Sequence, residues 1–367
     1  MRDFRFTELA QTLPSTVPFV GPETQERARG LRFDARLGAN ENVFGPSPNA
    51  IRAMAETPQW MYGDPESHDL RAALARHLGA KPDHIMVGEG IDGLLGYLVR
   101  LFVGPGDAVV TSLGAYPTFN YHVAGFGGDL HAVPYLDDHE DPQALFAKAR
   151  EVKAKLVYLA NPDNPMGSVH SGAAIAEALD LLPEGAILVL DEAYIECAPE
   201  SSSLPLPFDD PRIIRLRTFS KVYGLAGARV GYAIGHPELI AAFHKVRNHF
   251  GMNRSAQEGA LAALADQIWL RSVIARIAAS RLRIQKLAQT CGLKPLPSAT
   301  NFVTIDCGKD GAFARRVLDE MLALGVFVRM PFVAPQNRCI RVSCGTPADL
   351  DLLAETLPVA LRYAEMT

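Results

Sequence analysis

The sequence predicts an α/β fold made of a large domain, whose mostly parallel sheet is covered by helices, and a smaller α+β domain. The chain has 367 residues and 48% of them are hydrophobic, which is more than one ordinary core needs. Short apolar runs alternate with helical patterns as far as about residue 235, as is typical of a parallel sheet covered on both faces. A long helical stretch then ends this alternation.

The alternation predicts the elements of the large domain. Apolar runs indicate strands at 84–87, 108–111, 156–160, 186–190, 213–216 and 230–234. Helical periodicity indicates helices at 49–56 and 68–78, a third beginning after Gly90, and a fourth at 172–182. Prolines and glycines punctuate the first forty residues, so we expect an extended arm there and not a helix.

The rest of the chain predicts the smaller domain. A helical stretch is expected over roughly 237–289, strands at 301–305, 326–329 and 339–342, and helices at 312–324 and 347–363. We therefore divide the chain into an N-terminal arm with part of the small domain (1–45), a large domain (46–250) and a small C-terminal domain (251–367).

The bulk properties argue against several classes of protein. The net charge is −5, with 36 basic and 41 acidic residues, which does not favour binding to nucleic acid or to an anionic membrane. No apolar run reaches membrane-spanning length, and the first residues lack the apolar core of a secretion signal. The five cysteines form no C-x-x-C pair, so we expect reduced thiols, no metal site and a cytoplasmic location.

A lysine in the segment RTFSK (217–221) is the first candidate for catalysis. Lys221 follows a predicted strand and precedes a glycine-spaced run, which places it at the sheet edge where open α/β sheets bind ligands. Imine formation needs a neutral amine, whose pKa must be lowered by burial or by nearby positive charge. Thr218, Ser220 and Arg229 are suited to hold a phosphate beside it. Without these neighbours, Lys221 would be interpreted as an exposed surface residue.

The segment DEAY (191–194) ends the neighbouring apolar run. A carboxylate at Asp191 can keep a pyridine ring protonated, and a protonated ring withdraws electrons from the α-carbon of a substrate. Tyr194 can donate a hydrogen bond to the phenolic oxygen of the same ring. Alone, the segment would be interpreted as a strand-end cap, but together with Lys221 it indicates pyridoxal phosphate as the cofactor.

The segment GEGIDG (88–93) matches G-x-G-x-x-G, so a nicotinamide-dinucleotide site is an alternative. That interpretation needs an acidic residue at the end of the next strand, where this chain has TSL (111–113). We therefore favour a monophosphate bound by the backbone N–H groups of Gly90, Ile91 and Asp92 at the start of a helix.

Two further candidates follow other predicted strands. Asn164, in NPDNPMG (161–167), is either a simple turn residue or a donor to the phenolic oxygen beside Tyr194. Tyr116 either stacks on the cofactor ring or packs in the core.

Substrate binding is expected at a strand of the small domain. Arg341 lies in an otherwise apolar strand, and a buried arginine needs an anion, for which an α-carboxylate is well suited. The alternative is an edge strand that leaves the guanidinium in solvent. Asn40, in the loop 38–42, can assist in binding the substrate.

These motifs resemble the fold-type I pyridoxal-phosphate aminotransferases, and among them the histidinol-phosphate aminotransferase branch. The similarity extends nearly end to end. It is carried by VPFVGP (17–22), ANENVFG (39–45), NPMG (164–167), DEAY (191–194), RTFSK (217–221) with GARVG (227–231), TNF (300–302) and RVSCG (341–345). The segment RTFSK with GARVG is the most specific of these.

The resemblance implies roles for the residues around the cofactor. They are Lys221 as the Schiff-base lysine, Asp191 at the ring nitrogen, Asn164 and Tyr194 at the phenolic oxygen, Tyr116 stacked on the ring, and Thr218, Ser220, Arg229 and the backbone of Gly90, Ile91 and Asp92 around the phosphate.

It also implies a homodimer with active sites at the interface, in which Tyr62 reaches the partner's cofactor phosphate. Arg341 would hold the substrate carboxylate and Arg329 a distal anion. Phe19 stands near the far end of the substrate, where that branch usually has a tyrosine, so a hydroxyl is missing. Because of this and similar departures, such as Met61 for an arginine, an aromatic or other neutral amino acid is an alternative substrate to histidinol phosphate.

The expected activity is therefore a ping-pong transamination of histidinol phosphate or an aromatic amino acid, with 2-oxoglutarate and glutamate as the second pair. In it, the amine of Lys221 carries the α-proton. A decarboxylase similar to the threonine-phosphate decarboxylases is an alternative on the same scaffold. A non-catalytic binding module is a third hypothesis, which we rank last because only the irregular arm precedes the predicted catalytic domain.

Overall fold

The structure is a computed structural model that describes residues 4–15 and 20–366. Phe19, which we expected near the substrate, lies outside the described residues. The helices are α1 (Glu8–Thr12), α2 (Pro22–Arg29), α3 (Pro48–Glu56), α4 (His68–Leu78), α5 (Gly90–Phe102), α6 (Pro117–Gly125), α7 (Pro142–Val152), α8 (Gly172–Ala178), α9 (Pro237–Ala242), α10 (Arg254–Ala265), α11 (Gln267–Thr290), α12 (Gly311–Ala323) and α13 (Pro347–Met366). The strands are β1 (Ala35–Arg36), β2 (Ile85–Gly88), β3 (Ala108–Ser112), β4 (Asp129–Val133), β5 (Leu156–Ala160), β6 (Ile187–Asp191), β7 (Ile213–Thr218), β8 (Gly231–Gly235), β9 (Lys294–Pro295), β10 (Phe302–Asp306), β11 (Val326–Phe327) and β12 (Cys339–Ser343).

A mostly parallel sheet forms the centre of the molecule, as the sequence predicts. Within the described residues its seven strands have the order β2-β8-β7-β6-β5-β3-β4. All neighbours pair in parallel except β8, which runs antiparallel to both β2 and β7. Every residue of β5 and β6 is buried, which explains why these strands are continuous apolar runs and not alternating ones.

Helices cover both faces of this sheet. On one face, Leu94 and Leu98 of α5 and Phe119 of α6 pack against Tyr158 and Val189 of the central strands. On the other face, α7 and α8 pack against the residues that alternate with these along β5 and β6. The polar edge strand β4, which the apolar pattern does not predict, completes the sheet beside β3.

The smaller α+β part is built on an antiparallel sheet of order β12-β10-β9. Its helices α11, α12 and α13 share a core with α3, α4 and α10. The N-terminal strand β1 pairs in parallel with β11, so residues near the start of the chain are bound to this part. The domain boundaries at 45/46 and 250/251 stay predictions.

Two expectations about secondary structure were wrong. The predicted arm contains the helices α1 and α2, because Thr7 caps the first through its side chain, and the second starts at Pro22 and ends at Gly30 in the left-handed conformation. The predicted helix over 237–289 is divided into α9, α10 and α11. Asn253 and Asp266 accept backbone hydrogen bonds at the starts of α10 and α11, so each of these helices begins afresh.

None of the helices that the structure describes is both long and apolar enough to pass through a bilayer. The expected cytoplasmic location stays a prediction.

A buried ion pair fixes the strand ends next to the catalytic candidates. The Nε of Arg217 donates to Glu192 over 2.7 Å, and the Glu192 side chain is only 1% exposed. The backbone N–H of Glu192 donates to Leu216 over 2.8 Å. The pair therefore joins the end of β6 to the end of β7 directly beside Asp191 and Thr218.

We expect Arg217→Met to lower the free energy of unfolding by about 3 kcal/mol, because it leaves the buried Glu192 carboxylate without a partner. Urea unfolding followed by circular dichroism measures this change. The control is Lys148→Met, which removes an exposed pair with Glu151 and should cost under about 1 kcal/mol. An equal loss of unfolding free energy in both variants would contradict the conclusion that the Arg217–Glu192 pair fixes the strand ends.

Candidate active site

A cavity of about 650 Å³ opens at the carboxyl edge of the large sheet. Thirteen of the sequence-predicted residues line it, namely Asn40, Ile91, Asp92, Tyr116, Asn164, Asp191, Tyr194, Thr218, Ser220, Lys221, Arg229, Arg329 and Arg341. They converge because the loops after parallel strands meet at one edge, where open α/β sheets bind ligands. Arg329 and Arg341 enter from the smaller part of the molecule.

Gly90 and Tyr62 do not line this cavity within the chain. Gly90 lies against the guanidinium of Arg229. Tyr62 is 78% exposed, and its ring packs at a tilt against Phe250, with ring centroids 4.8 Å apart.

One end of the cavity is suited to a phosphate group. Helix α5 begins there, so the N–H groups of its first turn and its positive end face the cavity. Arg229 donates from Nη1 to the Ser220 hydroxyl over 3.2 Å, and the Ser220 N–H donates to the Thr218 hydroxyl over 3.0 Å. Gly90 has φ +73°, and a Cβ at this position would lie 2.4 Å from Arg229 Nη2. Only glycine allows this close approach, so the cradle fits the phosphate of pyridoxal phosphate.

Lys221 lies between this cradle and the small sheet. Its Nζ donates to the backbone carbonyl of Asn40 over 3.4 Å and lies 5.5 Å from the centre of the Tyr194 ring. Burial, together with the positive charges of Arg341 and Arg229, lowers the pKa of this amine to about 8. A considerable fraction of the amine is therefore neutral near physiological pH and able to attack a carbonyl carbon.

Asp191 lies at the end of β6 and is buried. Its Oδ2 accepts from the Tyr158 hydroxyl over 2.7 Å, and its Oδ1 accepts from the Ala193 N–H over 2.9 Å. Burial raises the pKa of Asp191 to about 6, while these two hydrogen bonds oppose the rise. The group is therefore mainly a carboxylate at neutral pH, in the form that can pair with a protonated ring nitrogen.

Tyr158 is a site residue that the sequence analysis missed. The sequence feature that could have indicated Tyr158 is a phenol inside the otherwise aliphatic strand 156–160. Nothing in the sequence, however, shows that this strand lies next to β6. Burial raises the pKa of the Tyr158 hydroxyl well above its usual value, so it stays a donor to Asp191.

Tyr194 and Asn164 approach from neighbouring strand ends, but their partners differ. The Tyr194 hydroxyl accepts from Asn40 Nδ2 over 3.1 Å, and its pKa is raised by burial. Asn164 offers its side-chain oxygen to Nη1 of Arg341. Asn40 has both ends of its side-chain amide bonded, to Tyr194 and to Ser343, and its part in substrate binding stays a prediction.

Two arginines from paired backbone segments enter the same cavity. The N–H groups of Arg341 and Arg329 donate to each other's carbonyls over 2.6 and 3.2 Å. Nη2 of Arg341 donates to the Gly38 carbonyl over 3.1 Å, while its buried Nε has no partner among the described residues. Burial lowers the pKa of Arg341 to about 10, with a further lowering contribution from Arg329. Arg341 is therefore partly buried, with its Nε enclosed and not in solvent, and an anionic ligand would stabilise it.

A model of the family described as "Aminotransferase class I and II" matches residues 35–357. The chain belongs to this family. The resemblance to pyridoxal-phosphate-dependent aminotransferases is thereby confirmed, as is the prediction that the chain is such an enzyme.

Among the relatives of this aminotransferase is the histidinol-phosphate aminotransferase 1 of Mesorhizobium japonicum, 36% identical over 94% of this chain and 95% of the relative. The histidinol-phosphate aminotransferase of Roseiflexus castenholzii is 35% identical over 95% and 96% of the two chains. A crystal structure of histidinol-phosphate aminotransferase from Sinorhizobium meliloti in complex with pyridoxal-5'-phosphate superposes with a TM-score of 0.95. It is 54% identical and covers 99% of both chains.

We expect the rate at which the cofactor-free aminotransferase takes up pyridoxal phosphate covalently to rise with pH and to level off above about 8. The neutral amine is the nucleophile, and it is the main form only above its pKa. Stopped-flow absorbance in the visible range measures the rate, with Lys221→Ala as the control for covalent capture. An inflection near the ordinary lysine value of 10.5 would contradict the lowered pKa.

Proposed function

We propose that this aminotransferase exchanges an amino group between histidinol phosphate and 2-oxoglutarate, with pyridoxal phosphate as cofactor. The observation that carries the proposal is the pair Arg341 and Arg329 in one cavity with Lys221. Arg341 is partly buried, and its enclosed Nε has no partner among the described residues, as expected of a group that awaits an anionic substrate. The relatives named histidinol-phosphate aminotransferases, which match nearly the whole chain, support the choice of substrate.

The residues around the cradle would hold the cofactor. Thr218, Ser220, Arg229 and the N–H groups at the start of α5 would bind its phosphate, Tyr116 would stack on its ring, and Asn164 would lie near its phenolic oxygen. When bound, pyridoxal phosphate supplies an electron-withdrawing ring that stabilises negative charge at the α-carbon of the substrate.

The remaining groups move and hold protons. Asp191, an anion at neutral pH, would keep the ring nitrogen protonated, and Tyr158 would hold the carboxylate in place. Lys221 would accept and return the α-proton, since its lowered pKa permits both the neutral and the charged form.

Arg341 and Arg329 must bind two kinds of anionic substrate, one after the other. Histidinol phosphate carries a phosphate, whereas glutamate and 2-oxoglutarate carry two carboxylates. A guanidinium binds either group through a pair of hydrogen bonds. We infer that Arg341 binds the anion nearest the reacting carbon and that Arg329 contributes to the distal charge.

An aromatic amino acid is the second candidate substrate. Apolar side chains, among them Leu113, Leu130 and Val333, line the cavity near Tyr116, and Phe332 stands at 70% exposure beside them. This wall would accept a benzene ring as readily as an imidazole.

We expect kcat/KM for histidinol phosphate to exceed that for phenylalanine and tyrosine by about tenfold or more, with 2-oxoglutarate as acceptor. Single-turnover bleaching of the visible band compares the donors, including glutamate. Lys221→Ala should show negligible turnover while it keeps its fold. A tenfold preference for phenylalanine or tyrosine would favour the aromatic candidate, and release of carbon dioxide without a keto product would overturn transamination.

We also propose that the active enzyme is a homodimer in which Tyr62 lies near the cofactor phosphate of the partner. A group of aromatic side chains supports this, with Trp60 at 86% and Tyr62 at 78% exposure beside Phe250. Exposed apolar side chains that lie close together mark interaction sites, and aromatic residues are enriched in interfaces.

We expect Trp60→Glu to convert the dimer to monomers and to weaken cofactor binding, because a buried charge would oppose the interface and remove Tyr62 from the second site. Sedimentation velocity and a cofactor titration measure the two effects. Leu282→Glu, at an exposed apolar position of α11, is the control and should change neither. A wild-type monomer with full activity would refute the proposal.

A further inference from the structure

A directional chain of hydrogen bonds connects the small sheet to Tyr194. The backbone N–H of Asn40 donates to the Ser343 hydroxyl over 3.0 Å, and this hydroxyl lies 2.8 Å from Asn40 Oδ1. The other end of the Asn40 amide, Nδ2, lies 3.1 Å from the Tyr194 hydroxyl. Asn40 and Ser343 are each 2% exposed, so water does not compete for these contacts.

The direction of each bond follows from the backbone. The N–H of Asn40 can only donate, so Ser343 accepts from it and has one proton left to give. Asn40 Oδ1 is the acceptor that the structure places within reach of this proton. A flipped amide would leave the Ser343 proton without an acceptor at a buried position, which is costly. The amide is therefore fixed with Nδ2 toward Tyr194.

Because Asn40 Nδ2 donates to it, the Tyr194 oxygen is an acceptor in this bond. A phenol carries a single proton, and this proton stays available for a different partner. Tyr194 lines the cavity, so the partner can be a group bound there. With the opposite amide orientation, Tyr194 would donate to Asn40 and have no proton to offer.

The geometry of Asn40 also ties this chain to Lys221. Asn40 has φ +55°, a left-handed conformation that asparagine adopts more readily than most non-glycine residues. Its carbonyl accepts from Lys221 Nζ over 3.4 Å and from Asn301 Nδ2 over 3.0 Å. Ser343 lies two residues after Arg341 on β12, and hence on the same face of the strand.

We propose that Ser343 and Asn40 are positioning residues that keep the Tyr194 hydroxyl proton directed at the phenolic oxygen of the bound cofactor. The inference rests on the proposed place of Tyr194 at that oxygen. A donor at this oxygen stabilises its anionic form, and so makes the nitrogen that joins Lys221 to the cofactor easier to deprotonate.

The experiment is a pH titration of the visible absorption band of the cofactor-loaded dimer. We expect Ser343→Ala to raise the midpoint by about one pH unit, because the amide is then free to turn and to take the Tyr194 proton. Tyr194→Phe should raise the midpoint at least as far. The double variant Ser343→Ala/Tyr194→Phe should have the same midpoint as Tyr194→Phe alone, because Ser343 acts on the cofactor through the Tyr194 hydroxyl.

Asn40→Asp provides an independent test if Ser343→Ala does not fold. Its side chain has the same shape but only accepts, so Tyr194 must donate to it and the midpoint should rise. The rise in the midpoint caused by Asn40→Asp is also measured in a Tyr194→Phe background. The difference between the two rises gives the part that depends on the Tyr194 hydroxyl. Ser343→Thr, which keeps a hydroxyl, should stay close to wild type.

An unchanged midpoint in Ser343→Ala, or the same shift with and without the Tyr194 hydroxyl, would overturn the inference and assign Ser343 a purely structural role. A different result is expected if the proposed cofactor site at Lys221 is itself wrong. In that case the wild-type protein would show no titrating band, or Lys221→Ala would keep it.

Discussion

The site is organised around the guanidinium of Arg341, whose charge is not paired with a carboxylate of the described residues. Burial lowers the pKa of Lys221, and the charges of Arg341 and of Arg229, which itself lies 3.8 Å from Asp92, lower this pKa further. Arg341 is held by neutral acceptors, the amide of Asn164 and the carbonyl of Gly38, and not by a carboxylate of the described chain. Such a cavity favours anionic ligands, because they supply the missing countercharge. Burial and the same positive charge keep a fraction of the lysine amine neutral and therefore reactive.

Like charges stay close together only if the surrounding frame resists their separation. The ends of β6 and β7 are joined by the buried pair of Arg217 and Glu192. Reciprocal backbone bonds hold Arg329 against Arg341, and the loop at Asn40 is bonded to both parts of the molecule. A change at β12, the strand that carries Arg341 and Ser343, should therefore alter the surroundings of Tyr194.

Much of the candidate site was predictable because most of its residues occur in short sequence motifs. RTFSK, DEAY and NPMG each place a reactive side chain directly after an apolar strand, and strand ends of a parallel sheet converge. Tyr158 and Ser343 were not predictable in this way. Their partners Asp191 and Asn40 are 33 and 303 residues distant in sequence, and both contacts depend on which strands lie side by side. The helices of the N-terminal arm and the breaks in 237–289 were also missed, since single capping residues decided them.

The sequence by itself determined the fold class, the family and the candidates for the lysine, carboxylate and phosphate-binding groups, because apolar periodicity and short motifs are local properties. Tertiary structure alone decided how these groups act on one another. The lowered pKa of Lys221, the partial burial of Arg341 without a paired carboxylate among the described residues and the hydrogen-bond direction at Tyr194 all arise from groups that only folding brings together. Electrostatic and hydrogen-bond interactions depend on distance in space, and distance along the chain does not report it.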